Sequence, residues 1–198
     1  MNIPSSKYDS NITAGGLLYN EFLTIEPIIH SDDFESLLRH EIEENKFIGI
    51  NTRSARQRII PQVIKRVFAV PSNFWDFFYG LNAIEKKQAL FFVVLKTYPL
   101  LFDLHFEVGV KKFKTGGTLS NYDVQMRLDE IASTDDYVAS WSNSTFKKIN
   151  SRYLKILEDV NLYKNGSLQR SNILTKSYWD FYRKNGEQWF LKACFIEN

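Results

Sequence analysis

Few side chains in this chain are arranged for catalysis. Its histidines, His30, His40 and His105, are scattered, and its one cysteine, Cys194, lies in the apolar run Trp189, Phe190, Leu191, Ala193, Phe195, Ile196. A metal site needs several ligands converging, and His105 with Glu107 is only a fragment of one. Cys194 reads as a buried, inert thiol, because a reactive one needs an exposed, electropositive setting. Lys114-Thr115-Gly116-Gly117-Thr118 has the composition of a phosphate loop but not its order, in which glycines precede Lys-Ser/Thr. Ser144-Thr145-Phe146-Lys147 matches the Ser-x-x-Lys of penicillin-interacting serine enzymes, and Lys114-Thr115-Gly116 their Lys-Thr-Gly. The two stand in reversed order, and the Ser-Asp-Asn element is missing. Asp32/Asp33 and Asp135/Asp136 lie beside helix starts, where capping accounts for them. The sequence therefore nominates no nucleophile, no acid–base pair, no metal and no cofactor, and the chain is expected not to be an enzyme.

The pattern with chemical consequence is electrostatic. Residues 18–45 carry eight acids against the single base Arg39, whereas residues 46–70 carry six bases, Lys46, Arg53, Arg56, Arg58, Lys65 and Arg66, and no acid. A second basic run covers 142–170, with Lys147, Lys148, Arg152, Lys155, Lys164 and Arg170 against Glu158 and Asp159. A formal net charge of +2 conceals both. Local positive fields of this kind attract a polyanion such as DNA. They are also what the wet face of any amphipathic helix carries, and the first run could pair with the acidic helix before it. On the DNA reading, Asn143 and Ser144 hydrogen-bond to bases or phosphates while Lys147, Lys148 and Arg152 neutralise phosphates. Tyr163 to Thr175, with Lys164 and Arg170, then forms a small wing.

These side chains must be positioned by helices, because apolar residues recur mostly at helical spacing. A first helix is expected over 15–29. Ser31 is expected to cap a second helix running to about Glu44, with Asp32, Asp33 and Glu35 at the positive end of its dipole. Asn51 or Thr52 caps a basic helix to about Phe68, with Ile59, Ile60, Val63, Ile64 and Val67 inward and Arg58, Gln62 and Lys65 outward. Pro61 should bend that helix or delay its regular start to near Ile60. Further helices are expected at 71–81, 83–97 and from Pro99 to about Phe113. Beyond the loop 114–118 come helices at 120–131, 133–139, 142–162, 177–184 and 187–196, with Asn165-Gly166 as a turn and 167–175 extended. The long helix should bury Phe146, Ile149, Tyr153, Ile156, Leu157 and Val160.

Hydrophobic residues make up 44% of the chain and charged residues 24%, an ordinary globular composition. The expected fold class is all-α, a compact multi-helix globular protein. An N-terminal helical subdomain would span 1–113, with the basic helix 53–68, and a C-terminal subdomain 118–198. The start lacks the pattern of a signal peptide, and the longest apolar run, Ala89 to Leu95, is far shorter than the roughly 20 residues needed to cross a bilayer. A cytoplasmic location without membrane attachment is expected.

Over nearly its whole length the chain resembles the BrxA family, a small core component of bacteriophage-exclusion (BREX) defence systems. The likeness is carried by Tyr8 to Glu21 (YDSNITAGGLLYNE), Thr52 to Arg66 (TRSARQRIIPQVIKR) and Val138 to Lys148 (VASWSNSTFKK), followed by a long helix and an aromatic C-terminus. The resemblance implies two helix-turn-helix-like elements, double-stranded DNA binding, and membership of a multi-protein system that methylates host DNA and blocks phage DNA replication. Carried over by position, the elements lie at about 31–68 and 134–160. Their contact residues would be Arg53, Arg56, Arg58, Lys65 and Arg66 in one, and Asn143, Ser144, Lys147, Lys148 and Arg152 in the other. Double-stranded DNA and other BREX proteins are the expected partners, with a monomer when isolated. A protein-interaction adaptor, anchored by aromatics around Phe74 to Tyr79 or Tyr178 to Trp189, is the alternative. Pro61 and the long turn Asn45 to Thr52 depart from a standard helix-turn-helix.

Overall fold

The protein is described here by a computed structural model over residues 6–196. It is all-α apart from one small hairpin. The chain forms two compact units, Ala14–Thr97 and a second made of the residues up to Thr13 together with those from Tyr98 onward. The division falls at Thr97/Tyr98, while the loop 114–118 lies inside the second unit.

The 14–97 unit contains α1 (Tyr19–Thr24), α2 (Phe34–Glu44), α3 (Arg53–Val67), α4 (Asn73–Tyr79) and α5 (Ala83–Thr97). The single helix expected over 15–29 does not form. Leu18 takes a left-handed φ of 57° before α1, and Pro27 sits in a separate 3₁₀ turn, Glu26–Ile28. The second helix begins at Phe34 rather than at a Ser31 cap, with Asp33 in the cap position. Thr52 does cap α3, accepting from the Ala55 N–H at 3.2 Å. Helix α3 runs through Pro61, which is exposed, as is Gln57, whose carbonyl loses its partner to the missing N–H and can turn to water. Every residue from Ala89 to Leu95 is buried, so that stretch of α5 is apolar all round. Phe74 packs against it, stacking on Phe92 with centroids 5.5 Å apart, and Phe22 stacks on Trp75 at 5.1 Å.

The second unit contains α6 (Pro99–Leu104), a π-helical turn His105–Val110, α7 (Lys111–Lys114), α8 (Asn121–Ala132), α9 (Asp136–Ala139), α10 (Asn143–Asp159), the hairpin β1 (Tyr163–Lys164) and β2 (Ser167–Leu168), α11 (Lys176–Lys184) and α12 (Trp189–Ala193). Side-chain caps start α8, α9 and α10. Ser120 and Asp123 form a reciprocal capping box, Asp135 accepts from the Val138 N–H at 3.1 Å, and Ser142 accepts from the Thr145 N–H at 3.2 Å. The stripe expected inside α10 is buried throughout. Cys194 is fully buried, and burial pushes its thiol pKa well up, which keeps it inert.

The π turn widens the helix where His105 and Tyr153 meet. His105 Nε2 lies 2.7 Å from the Ala193 carbonyl, which can only accept, so Nε2 carries the proton. Nδ1 therefore accepts from the Tyr153 hydroxyl at 3.0 Å. A β-carbon on Gly109 would stand 2.5 Å from that hydroxyl, so only glycine fits here.

Candidate nucleic-acid interface

Helices α9 and α10 are joined by three residues, Ser140 to Ser142, and α10 is followed at once by the hairpin. Helix α9 has only four residues and could not persist alone; its Asp135 cap and buried Val138 hold it. On α10, Phe146, Ile149, Tyr153, Ile156 and Leu157 fix one face inward. At about 100° per residue that turns Asn143, Ser144, Lys147, Lys148 and Ser151 outward, and all five are exposed. Among the described residues Lys147 and Lys148 have no anionic partner, and Arg152, half-buried at the edge of the face, has none either. Ser144 Oγ lies 2.9 Å from Ser142 Oγ, within the hydroxyl cluster of the cap. Lys155 stands on the same side, but it bridges Glu158 at 3.5 Å and Asp159 at 3.0 Å. Among the described residues the helix thus presents cations without an anionic partner over its N-terminal half and an ion-paired strip of net charge −1 near its end.

The hairpin is pinned from two sides. Tyr163 faces Leu168 and Lys164 faces Ser167, with Asn165 (φ 50°) and Gly166 (φ 82°) supplying the two left-handed residues of a tight hairpin turn. Leu119 N–H donates to Gly166 O and the Tyr163 hydroxyl to Leu119 O, both at 2.9 Å. Lys164 and Arg170 remain exposed.

The 14–97 unit treats its cations differently, and two of the contact residues expected there must be corrected. Arg66 is completely buried, with Nη1 donating to Leu17 O and Nη2 to Gly15 O, each at 3.0 Å. Arg56 is buried and donates to Ile42 O and Ile50 O, each at 2.7 Å, and to Asn51 O at 3.4 Å. Neither guanidinium can reach a phosphate without abandoning these carbonyls. Arg53 is exposed but forks onto Glu43, with Nε 2.9 Å from both carboxylate oxygens, and these bonds hold the Glu43 pKa below the usual carboxylate range. Arg58 and Lys65 are exposed. Gln62, expected outward, is buried.

Sequence reasoning missed why the turn 45–52 is long and yet ordered. Glu41 is buried at the end of α2, and its carboxylate accepts from the N–H groups of Lys46 (3.1 Å), Phe47 (2.7 Å) and Ile48 (3.0 Å). Asn45, left-handed at φ 49°, accepts from Ile50 N–H at 3.0 Å. Within the turn Arg56 takes the Ile50 and Asn51 carbonyls and Glu41 the amides of residues 46–48, so these two side chains hold both ends of the segment. A signal existed: Arg56, Ile60, Val63 and Val67 stand at i, i+4, i+7 and i+11, so Arg56 lies in the apolar stripe.

Elsewhere, a groove of about 630 Å³ runs beside Ser6, Tyr8, Arg127, Glu130, Asp135 and Tyr137. Ser6 Oγ donates to Asp135 at 2.6 Å, and the Tyr8 hydroxyl donates to Asp103 at 3.0 Å. Arg127 joins Asp103 to Glu130, which pushes its own pKa further up. No group of three or more His, Cys, Asp or Glu side chains among the described residues could hold a metal ion, and no single described helix is long and apolar enough to cross a membrane.

The long helix α10 and the hairpin after it are among the places where this all-α protein carries exposed cations. The family follows from comparison with known proteins. The BrxA family model matches residues 6–184, and the chain belongs to that family. It is 26% identical over 160 residues to the BREX protein BrxA of Bacillus cereus (strain H3081.97), covering 80% of each chain. The crystal structure of an uncharacterized protein from Magnetospirillum magneticum has the same fold, with a TM-score of 0.76 at 19% identity, covering 97% of this chain and all of that one.

Proposed function

We propose that this protein is a non-enzymatic, cytoplasmic double-stranded DNA-binding component of a BREX phage-defence system, acting beside other BREX proteins. The observation that carries the reading is the outward face of α10, where Lys147, Lys148 and Arg152 have no anionic partner among the described residues while Asn143 and Ser144 stand at the helix start. With the three-residue turn before it, α9–α10 reads as a helix-turn-helix whose second helix presents its N-terminal turns to a groove. Cations outnumber amide and hydroxyl groups able to read base edges, so phosphate contacts dominate and sequence preference is small. The α2–α3 corner has the order of such a motif, but its arginines are spent on its own backbone and on Glu43. It contributes at most Arg58 and Lys65.

Titration of a labelled duplex at several salt concentrations tests this. Three neutralised phosphates give a log–log slope of about −2.7, and further contacts steepen it. Affinity that is flat across salt, or absent, overturns the reading. A protein-interaction adaptor is favoured by one observation, the exposed pair Tyr122 and Met126 one turn apart on α8, at 71% and 54% exposure. The charge reversal Lys147→Glu with Lys148→Glu separates the two. Loss of duplex binding with complex assembly intact supports DNA binding, and the opposite pattern supports the adaptor.

A further inference from the structure

Beyond the α10 surface stands a further pair of cations. Lys164 and Arg170 are exposed and have no anionic partner among the described residues. Lys164 is on β1, opposite Ser167, and Arg170 follows the bond from Gln169 N–H to Leu162 O (2.9 Å) that extends the hairpin ladder. Both therefore stand on ordered backbone, fixed to the end of α10 by Leu162 N–H donating to Leu157 O at 2.8 Å and to Leu119 by the two bonds described above. A loose cation gains little by meeting a phosphate, because the contact must first overcome its freedom; a pre-positioned one loses less.

We infer that Lys164 and Arg170 form a second phosphate-binding point for duplex DNA, separate from the α10 cations. The inference rests on the DNA-binding reading above and extends it. Two observations place the point. The first is spacing: from Lys148 to Asp159 α10 advances about 17 Å, so the hairpin that follows is a point apart from the cations of the first turns. The second is the strip between. Glu158 and Asp159 would repel a phosphate backbone, and Lys155 bridges both. Lys155 thus offsets one of the two carboxylate charges and weakens that repulsion between the two cationic points. Its bridges are solvent-exposed and individually weak, so their effect is on the local field more than on stability.

The test uses the full chain and a random-sequence duplex of about two helical turns, with binding read by fluorescence anisotropy between 50 and 200 mM salt. Five phosphate contacts give a slope of about −4.5, an affinity loss of roughly 500-fold over that range. The double variant Lys164→Ala, Arg170→Ala should return a slope of about −2.7, a loss of roughly 40-fold, because two contacts have gone. Lys164→Arg with Arg170→Lys should keep the steeper slope, which excludes damage to the hairpin as the cause. Wild-type binding with the slope unchanged in the alanine variant overturns the inference and leaves the α10 reading standing. Wild-type protein that shows no salt-dependent duplex binding overturns both.

Discussion

Arg56 and Arg66 are the residues whose charge and location are furthest apart. A guanidinium offers five N–H donors in a fixed fork, which suits adjacent backbone carbonyls as well as phosphates. In this chain the carbonyls of the 42–51 and 15–17 segments take those donors. Arg56→Met keeps the stem and removes the fork, leaving the carbonyls of Ile42 and Ile50 without their donor. It should lower unfolding free energy by about 2–4 kcal/mol, read as a shifted urea midpoint, and leave the salt slope of DNA binding unchanged. His105 gives a prediction in pH. Burial lowers its pKa from 6.5 to about 4, opposed by the bond to the Ala193 carbonyl. Above pH 6.5 the imidazole is neutral in both folded and unfolded chains. As pH falls from 6.5 toward 4 only the unfolded chain takes up the proton, so stability drops by about 3 kcal/mol in total and then levels. Urea unfolding of wild type against His105→Asn should show the wild-type advantage shrinking through that window; a constant gap would contradict it.

At the scale of elements, the local grammar of the chain was largely readable where it was self-contained. Helix α5 has the bounds its periodicity gives, Ala83–Thr97, and Ser120 and Ser142 cap the helices they precede. Each of these depends on residues within a turn of one another. What could not be read depends on distant backbone. The segment 15–29 has apolar spacing fit for a helix, but Leu17 and Gly15 must turn their carbonyls to Arg66, 49 and 51 residues away, and Leu18 is left-handed there. The same blindness put Arg56 and Arg66 among the DNA contacts: charge marks a side chain as polar, not as solvated. On the site, the α10 face was legible because a 17-residue helix with one clean apolar stripe has only one way to point its other side. Two substitutions test the elements. Ser142→Ala removes the α10 cap and should cost about 1 kcal/mol, measured by thermal melting. Gly109→Ala forces a methyl against the Tyr153 hydroxyl (2.5 Å) and His105 Nδ1 (3.2 Å). It should cost about 1–3 kcal/mol, with the loss of amide protection concentrated between residues 105 and 114.

For the whole molecule, a net charge of +2 says little about affinity for a polyanion, because the cations differ in availability. Reversing Arg58 and Lys65 to glutamate should change duplex affinity far less than reversing Lys147 and Lys148, although each pair alters the net charge equally. Equal losses would show that long-range field, not contact, sets the binding. The grouping of residues up to Thr13 with those beyond Tyr98 has a consequence for the order in which the protein is made. Ser6 meets Asp135 across 129 positions of chain. A ribosome adding about 5–20 residues per second needs roughly 6–26 s to bring that carboxylate into existence. Throughout that interval Ser6 lacks its Asp135 partner, while Ala14–Thr97 has already been synthesised. A nascent chain halted before Asp135 should therefore leave Ser6 to Thr13 more open to protease than the 14–97 unit.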